Sequence, residues 1–235
     1  MRKLFASAIV SGLFSLICAI AAAATPAASA APTWIAGQHY FLARQPQATN
    51  APAGKVEVLE VFSYACPACN HFGPLMRRLK ASLPATAQFG YLPASWHPNE
   101  DWPVFQRAFF AAQSLGLVER THDAVFDAIW KTGELAIFDE GLRRPKQVLP
   151  AIADVAQWYV RKTGVTRLAF LTAAQSFGVE MSMRRADSVI RALPVDQTPT
   201  VVVNGKYRVT LQSAGGEEPL INVVKWLVDQ ESAHR

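Results

Sequence analysis

Cys66 and Cys69 are separated by two residues, and their surroundings are those of a redox-active dithiol. They follow an apolar, β-branched run over residues 55–62 and precede apolar residues at helical spacing as far as residue 83. This pattern predicts a strand, a dithiol and a helix in succession. At a helix N-terminus, unpaired N–H groups and the positive end of the dipole stabilise an anion. We therefore expect a lowered pKa for the Cys66 thiol, with Cys69 one turn further on to close a disulfide ring.

Pro67 and Ala68 lie between the two cysteines. Pro67 suits the first helical turn because its missing N–H would have had no partner there. The remaining cysteine of the chain, Cys18, lies in the N-terminal leader, so no structural disulfide can form without the motif itself. A ring as short as Cys66–Cys69 constrains the unfolded chain less than a long loop, which favours redox cycling over a structural role.

Zinc binding is the other common use of this cysteine spacing. A zinc site would need two further ligands, but the sequence has no second cysteine pair. The histidines are scattered without a paired spacing: His39, His71, His97, His122 and His234. The sequence therefore predicts no metal ligand and no small-molecule cofactor. A periplasmic metal-binding or chaperone module that uses the two cysteines as ligands stays open as an alternative from another functional class.

Residues 1–30 have the features of a secretory signal. A basic start is followed by an alanine-rich apolar run from Leu4 to Ala24 and then by small residues, which is typical of a leader that is cleaved. An uncleaved membrane anchor is the alternative, because the apolar run is long enough to span a bilayer. We interpret Cys18 as part of the signal. The net charge of +5 for the whole chain becomes 5 − 2, or +3, once Arg2 and Lys3 leave; without a basic cluster, this argues against a nucleic-acid partner.

The rest of the chain predicts a strand, a helical block, a hairpin and a closing helix. Residues 86–92 have the composition of a strand. Residues 102–193 carry apolar residues at helical spacing, including one stripe of Val148, Ile152, Val155 and Tyr159. Asn204-Gly205 between two β-rich runs is the strongest short signal for a hairpin. The apolar spacing over residues 220–228 indicates an amphipathic helix.

Glu60 stands out in the apolar strand that leads to the dithiol. A carboxylate on a central strand must be paired, hydrated or partly protonated. Its side chain either points outward, or lies beneath the dithiol and relays protons when the disulfide opens. The residues alone leave both orientations open. Among charged residues further along the chain, Arg184, Arg185 and Asp187 are interpreted as a solvated helix face.

The order strand, Cys-x-x-Cys, helix, strand, hairpin and final helix resembles the thioredoxin fold. The helical block before the hairpin makes the chain similar to the DsbA family of exported dithiol oxidases. The residues that carry the resemblance are 59–69 and 198–207, and the element order spans essentially the whole mature chain. The resemblance implies an α/β class, a thioredoxin fold with an inserted helical domain. The implied domains are a signal peptide at 1–30, a thioredoxin domain at 31–100 and 194–235, and the inserted helical domain at 101–193.

The resemblance also implies roles for particular residues. Cys66 and Cys69 would form the redox-active disulfide, and Pro199 would be a cis-proline that faces it. Thr198, the residue before that proline, would offer backbone groups to a bound peptide. Glu60 matches the buried acid of the family, which favours the proton-relay interpretation.

The sequence departs from the family at three positions. The best-known members have Pro-His between the cysteines, whereas this chain has Pro67-Ala68. Because that histidine helps to hold the thiolate, its loss predicts a higher Cys66 pKa and a less oxidising disulfide. Thr198 stands where valine is often found and resembles the threonine of isomerase-type relatives. The lysine expected near the buried acid, around Gly90, is missing.

The resemblance implies a protein dithiol oxidase in the periplasm. Its partners would be unfolded or partly folded exported proteins with free cysteines, and a DsbB-type quinone-linked membrane protein that reoxidises it. Ala68 and Thr198 keep a thiol reductase or disulfide isomerase on the same fold as an alternative. A glutathione-dependent transferase of related fold normally lacks an export signal, which argues against that assignment.

Overall fold

The computed structural model of the protein describes residues 33–139, 141–142 and 144–234. The signal peptide expected over residues 1–30 lies outside the described residues. Within the described ranges, no helix combines the length and the apolar character that a membrane span requires. The domain boundaries expected from the sequence stay predictions.

Most of the strands lie in the two end portions of the described chain, and helices, apart from one small hairpin, fill its middle. The strands are β1 Phe41–Leu42, β2 Val56–Phe62, β3 Ala87–Pro93, β4 Phe138–Asp139, β5 Arg144–Pro145, β6 Thr200–Val203 and β7 Tyr207–Val209. The helices are α1 Pro67–Ser82, α2 Trp102–Ser114, α3 Val118–Trp130, α4 Ile152–Thr163, α5 Arg167–Ala174, α6 Phe177–Ala192, α7 Leu211–Ala214 and α8 Glu217–Ala233.

The main sheet has five strands in the order β1-β7-β6-β2-β3. The interior strand β2 pairs in parallel with β3 and antiparallel with β6, so that Glu60 lies opposite Tyr91 on one side and Val201 on the other. All residues of β2 except Leu59 are buried, so this nearly continuous apolar strand is covered on both faces. Cys66 follows the carboxyl end of β2, where α1 begins.

The two faces of the sheet are covered by different helices. On one face, Val56 and Val58 belong to a buried cluster with apolar residues of α1 and α8. On the other face, Val61 and Val202 belong to a second cluster with apolar residues of α2 to α6. Both cysteines are part of this second cluster, so the dithiol lies where the sheet meets the helical block.

The helical prediction was wrong at Val148. Helix α4 begins only at Ile152, and the Val148 side chain is 83% exposed. Pro150 explains the difference, because a proline disfavours helical backbone at the residue that precedes it. The segment before it instead contains the β4–β5 hairpin, which the sequence did not predict.

The interpretation of Asp187 as part of a solvated face was also wrong. Its Oδ1 accepts hydrogen bonds of 2.8 Å from the Ser95 hydroxyl and from the Gln106 amide. Asp187 thereby joins α6 to α2 and to the loop that follows β3. The sequence pattern of α6 does not reveal these partners, because only tertiary packing brings them to Asp187.

Candidate active site

Cys66 is the N-cap residue of α1, as the sequence predicts. Its backbone is extended, Pro67 occupies the first turn, and the Cys69 N–H points at the Cys66 sulfur over 3.4 Å. Both cysteines are free thiols. Cys66 retains 6% of its surface exposed, whereas Cys69 retains none. An incoming thiol can therefore reach Cys66 while Cys69 stays shielded behind it.

Thr198 and Pro199 lie directly beside Cys66. The Thr198–Pro199 peptide bond is cis, in agreement with what the resemblance implies. The Thr198 hydroxyl donates a hydrogen bond of 3.3 Å to Cys66 Sγ. The Thr198 carbonyl oxygen is 3.7 Å from the same sulfur and accepts its proton while Cys66 is a thiol. The structure thus brings together the ends of two segments that are far apart in sequence.

Glu60 is buried, with 2% of its surface exposed, so the outward-pointing orientation is excluded. By strand alternation it shares the face of β2 with Val56 and Val58, beneath α1. Burial raises the pKa of its carboxyl to about 8, and the charges of Asp123 and Cys66 act in the same direction. Glu60 is therefore largely protonated at neutral pH. A Cβ atom at Gly90, around which the resemblance implies a lysine, would lie 3.0 Å from the Leu59 side chain.

A contact that the sequence did not predict supports the segment before Cys66. The Tyr64 hydroxyl lies 3.0 Å from His122 Nδ1, and the His122 ring stacks on Tyr91 with 3.9 Å between ring centroids. Burial, aided by the charge of Lys80, lowers the His122 pKa to about 3. The imidazole is thus neutral, and either of its tautomers can hydrogen-bond the Tyr64 hydroxyl through Nδ1. Trp130 Nε1 also donates to the Tyr64 carbonyl oxygen over 2.8 Å.

These contacts had a signal in the sequence that could have revealed them. His122 lies on the same helix face as Val125 and Ile129, and all three are buried. A histidine on an apolar helix stripe needs a polar partner inside the protein. The partner itself, Tyr64, is invisible without the fold because 58 residues separate the two.

Comparisons with known proteins agree with this geometry. No protein-family model matches the chain. The chain is 33% identical over 233 residues to the thiol:disulfide interchange protein DsbA of Azotobacter vinelandii, with 98% of both chains covered. It is also 33% identical over 206 residues to the protein of the same name from Pseudomonas aeruginosa, covering 88% of this chain and 90% of that one. The chain belongs to the DsbA family.

Solved DsbA structures confirm the predicted fold, a thioredoxin fold with an inserted helical domain. A crystal structure of a P. aeruginosa DsbA variant matches with a TM-score of 0.73 at 33% identity, covering 86% of this chain and all of the other. The Xylella fastidiosa DsbA structure matches with a TM-score of 0.73 at 30% identity, covering 86% and 99% of the two chains. This DsbA-family protein is a thiol:disulfide oxidoreductase.

The two thiols of the dithiol in this DsbA-family protein have pKa values that are shifted in opposite directions. The Cys66 pKa is lowered, chiefly because the Cys69 thiol donates a hydrogen bond to the Cys66 sulfur. Burial opposes the shift, while the Thr198 hydroxyl and the backbone N–H groups of Cys69 and Ala68 add to it. Burial raises the Cys69 pKa. The helix N-terminus assists as predicted, but the side chains of Cys69 and Thr198 were not foreseen as donors.

A groove of about 590 Å³ borders the dithiol of this DsbA-family protein on the side of the cis-proline. Its wall includes Ala68 on α1 together with Thr198 and Pro199, and His71, Gln197 and Gln212 supply polar groups. Within the residues that the structure describes, no cluster of three or more His, Cys, Asp or Glu side chains is arranged to hold a metal ion.

Proposed function

We propose that this protein oxidises the dithiols of exported proteins, with Cys66 as the residue that exchanges with substrate. The observation that carries the proposal is the contrast between the two sulfurs. Cys66 is reachable and its thiolate is stabilised by Cys69 and Thr198, whereas Cys69 is enclosed and has a raised pKa. A thiol whose anion is stabilised leaves readily, which makes its disulfide a good oxidant.

The reaction begins from the Cys66–Cys69 disulfide. A substrate thiolate attacks Cys66 Sγ, the bond between the two protein sulfurs breaks, and Cys69 takes the electron pair. A second substrate thiolate then attacks the substrate sulfur of the mixed disulfide and releases Cys66 as a thiolate. The substrate dithiol loses two electrons and two protons. The protein disulfide gains the two electrons, Cys69 takes up one proton, and the other proton goes to solvent because Cys66 leaves as a thiolate. The low pKa of Cys66 favours this second displacement.

Glu60 is the proposed source of the proton that Cys69 needs. Cys69 leaves as a buried anion, and burial makes that anion unstable. With a pKa of about 8, Glu60 carries a proton at neutral pH. The negative charge of the Cys66 thiolate contributes to raising the pKa of this carboxyl. The carboxyl group can therefore give up a proton when the disulfide opens and recover it when the disulfide reforms.

The residues around the dithiol have proposed roles in binding and tuning. Thr198 and Pro199 hold the substrate peptide in the groove beside Cys66, with the Thr198 backbone as the peptide partner. Pro67 and Ala68 set the stability of the thiolate from within the first turn of α1. Ala68 supplies only its N–H to the Cys66 sulfur, so this position supports the thiolate less than a histidine would.

The proposed site of action is the periplasm. Curated relatives are named thiol:disulfide interchange protein DsbA, and residues 1–30 have the composition of a cleaved signal. The proposed partners are unfolded or partly folded exported proteins, and a DsbB-type quinone-linked membrane protein that restores the disulfide. Residues 31–100 and 194–235 would then form the thioredoxin domain, with 101–193 inserted.

The reduction potential tests the direction of this activity. Oxidised protein is equilibrated in glutathione buffers, and the fraction of Cys66–Cys69 disulfide is measured by thiol labelling. We expect a potential well above that of a cytosolic thioredoxin, which is about −270 mV. A potential near that value would favour the reductase or isomerase alternative, towards which Ala68 and Thr198 point. Cys66→Ala protein serves as the control that must show no glutathione-dependent change.

A further inference from the structure

We propose that the protein binds the phosphate headgroups of an anionic membrane through a hollow lined by three arginines. This arginine hollow has a volume of about 740 Å³ and lies at the edge of the main sheet, where β1 and β7 meet the end of α6. Its charged lining consists of Arg44, Arg191 and Arg208, and the described residues that line it include no acid. The hollow is therefore a concentration of positive charge on one surface.

Two of the three arginines carry charges that the protein itself does not neutralise. Arg44 follows β1, Arg191 lies in the last turn of α6, and both are exposed. Neither forms an ion pair or a side-chain hydrogen bond with any residue in the described part of the chain. Arginines elsewhere on the surface, such as Arg78 and Arg107, are paired with glutamates. The charges of the hollow are thus available to an anion from outside.

Arg208 is held in place but has donors to spare. It lies opposite Phe41 across the β1–β7 pair, and its guanidinium carbon is 4.8 Å from the centroid of the Phe41 ring, a cation–π contact. The carboxylate that faces it, Asp196, is 3.6 Å away and 77% exposed, too far for a hydrogen bond and weakened by solvent. Arg208 Nε is buried, and none of the described residues accepts its proton.

Phosphate groups fit this arrangement of donors. The planar guanidinium presents paired N–H groups that match two phosphate oxygens, and its charge strengthens these hydrogen bonds. A membrane presents many headgroups side by side, so each arginine can bind a phosphate of its own. A single phosphate in solution would meet at most a part of this charge.

Exposed apolar side chains beside the arginines favour a lipid over a free phosphate. Leu42 lines the hollow and is 58% exposed, and Ile35, which precedes the lining residue Ala36, is 48% exposed. Apolar side chains next to basic ones are typical of surfaces that lie at a membrane interface, where the apolar groups enter the boundary of the acyl chains. Arginine can keep its charge at the level of the phosphates while its stem lies in the apolar layer.

Membrane binding at this place does not occupy the substrate groove. The arginine hollow shares no lining residue with the groove at Thr198 and Pro199. A protein held at the membrane has a raised effective concentration towards a membrane-embedded partner, such as the one proposed above to reoxidise it. The binding itself requires no dithiol chemistry, so it can be tested separately from the proposed function.

The test measures co-sedimentation of the exported protein, from which the proposed leader has been removed, with lipid vesicles. One set contains equal amounts of phosphatidylglycerol and phosphatidylcholine, and the other contains phosphatidylcholine alone. Each basic residue at an anionic surface strengthens binding roughly fivefold, so we expect about a hundredfold preference for the anionic vesicles. Raising the ionic strength from about 0.1 M to about 1 M should abolish the preference, because the screening length falls from about 10 Å to about 3 Å.

Paired substitutions localise the binding. Arg44→Gln with Arg191→Gln should weaken binding to the anionic vesicles by about twenty-fivefold. Lys162→Gln with Arg167→Gln removes the same charge from exposed positions on α4 and α5 and should change the binding little. Cys66→Ala protein should bind as tightly as the unsubstituted protein.

A second pair of variants separates a lipid from a free phosphate ester. Leu42→Gln should weaken vesicle binding, and Leu168→Gln, at an exposed position on α5, should not. Glycerol phosphate, the soluble form of the headgroup, should fail to displace the protein from the vesicles. Displacement by glycerol phosphate, together with unchanged binding of Leu42→Gln protein, would show a site for soluble phosphate esters and overturn the membrane inference.

The remaining outcomes also decide the inference. Equal binding to both kinds of vesicle, or binding to neither, would overturn it. Equal losses in the two double variants would overturn it as well, because the net charge alone would then explain the binding. A loss confined to Arg44→Gln with Arg191→Gln supports it. None of these results bears on the proposed dithiol oxidation, which the reduction potential tests.

Discussion

The Thr198 hydroxyl donates a hydrogen bond of 3.3 Å to Cys66 Sγ, although 132 residues separate the two in sequence. The contact joins the segment before β6 to the first turn of α1. It also supplies a donor to the thiolate at a site where Ala68 cannot provide one from its side chain. The lowered Cys66 pKa shows that the loss of a histidine between the cysteines does not leave this sulfur without stabilisation.

Thr198→Val tests the contribution of that hydroxyl. Valine has nearly the shape of threonine but cannot donate to sulfur, so the thiolate loses one stabilising partner. A hydrogen bond to a charged group contributes about 1.5–3 kcal/mol, so we expect the Cys66 pKa to rise by about one unit. The ultraviolet absorbance of the thiolate, followed against pH, measures this. Thr172→Val, at an exposed position on α5, is the matched control, and an equal pKa in both variants would refute the assignment.

Ala68→His should make the protein more oxidising. The histidine would enter the first turn of α1 beside the Cys66 sulfur and stabilise its thiolate. We expect the reduction potential to rise by roughly 30 mV, which corresponds to a tenfold change in the equilibrium constant. Equilibration with glutathione measures the change. Ala81→His places the same residue on the last turn of α1 and should leave the potential where it is; a matching rise there would contradict the account.

The dithiol, the strand β2 that leads to it and the β6–β7 hairpin were predictable because their signals are local. Cys66 and Cys69 are one turn apart, β2 is an apolar run, and Asn204-Gly205 marks a turn. The apolar spacing that predicts α8 is local as well. Its members are all buried in the structure: Leu220, Val223, Val224, Leu227 and Val228. Patterns of this kind predict the elements of the folded protein because they depend on residues only a few positions apart.

The remaining features depend on contacts between distant residues. His122 gains its role only when α3 brings it to Tyr64, and Asp187 only when α6 meets Gln106. Each strand of the β4–β5 hairpin is two residues long. This is too short for the alternation of apolar and polar residues that identifies a strand in a sequence. That hairpin supplies Phe138 and Pro145 to an apolar hollow that Ala65 and Pro67, the neighbours of Cys66, also line, so the sequence did not reveal this part of the surface beside the dithiol.

The assigned roles of the two cysteines predict opposite phenotypes. Cys66→Ala should abolish turnover, because no other described cysteine is reachable by substrate. Cys69→Ala should instead trap mixed disulfides between Cys66 and substrate, since no Cys69 thiol is left to attack them. Non-reducing gels of each variant, incubated with a substrate protein that carries a disulfide, show the difference, because the Cys66 thiolate attacks that disulfide and the second substrate sulfur leaves as a thiolate. An absence of trapped species with Cys69→Ala would contradict the order of attack.

Glu60 predicts a pH dependence of stability with a definite sign. Its pKa is raised from the ordinary 4.5 to about 8, so the unfolded chain releases the proton first as pH rises. The free energy of unfolding should therefore fall between about pH 5 and pH 8, by at most about 1.4 kcal/mol per pH unit. Glu60→Gln should flatten this slope. Urea unfolding of the oxidised proteins measures it, since the cysteines then do not titrate.

Two features make the Glu60 comparison specific. Burial also raises the Glu57 pKa, so the quantity to compare is the difference between the two proteins at each pH. Asp127→Asn, at an exposed position on α3, is the control and should keep the slope of the unsubstituted protein. Identical slopes for Glu60→Gln and that control would show that Glu60 does not hold its proton in the folded state.

Glu231 predicts the opposite sign, because it holds α8 against the β6–β7 hairpin as an anion. Its carboxylate accepts hydrogen bonds from Lys206 Nζ at 2.6 Å, from the Tyr207 hydroxyl at 2.8 Å and from the Asn204 amide. Burial raises the Glu231 pKa, but these donors outweigh it, and the net pKa is lowered. The contribution to stability is therefore complete above the unfolded pKa and is lost as pH falls through the folded one.

Glu231→Gln keeps the size of the side chain but removes the charge that Lys206 faces. We expect a loss of about 1–3 kcal/mol in the free energy of unfolding at pH 7, because a half-buried ion pair loses one partner and the hydrogen bonds to a charged acceptor become weaker. The loss should shrink as the pH is lowered below about 4, where the native carboxyl is itself protonated. Asp229→Asn, exposed and two residues earlier on α8, should change stability little. A Glu231→Gln effect as small as that of Asp229→Asn would mean that the helix is held by its apolar face alone.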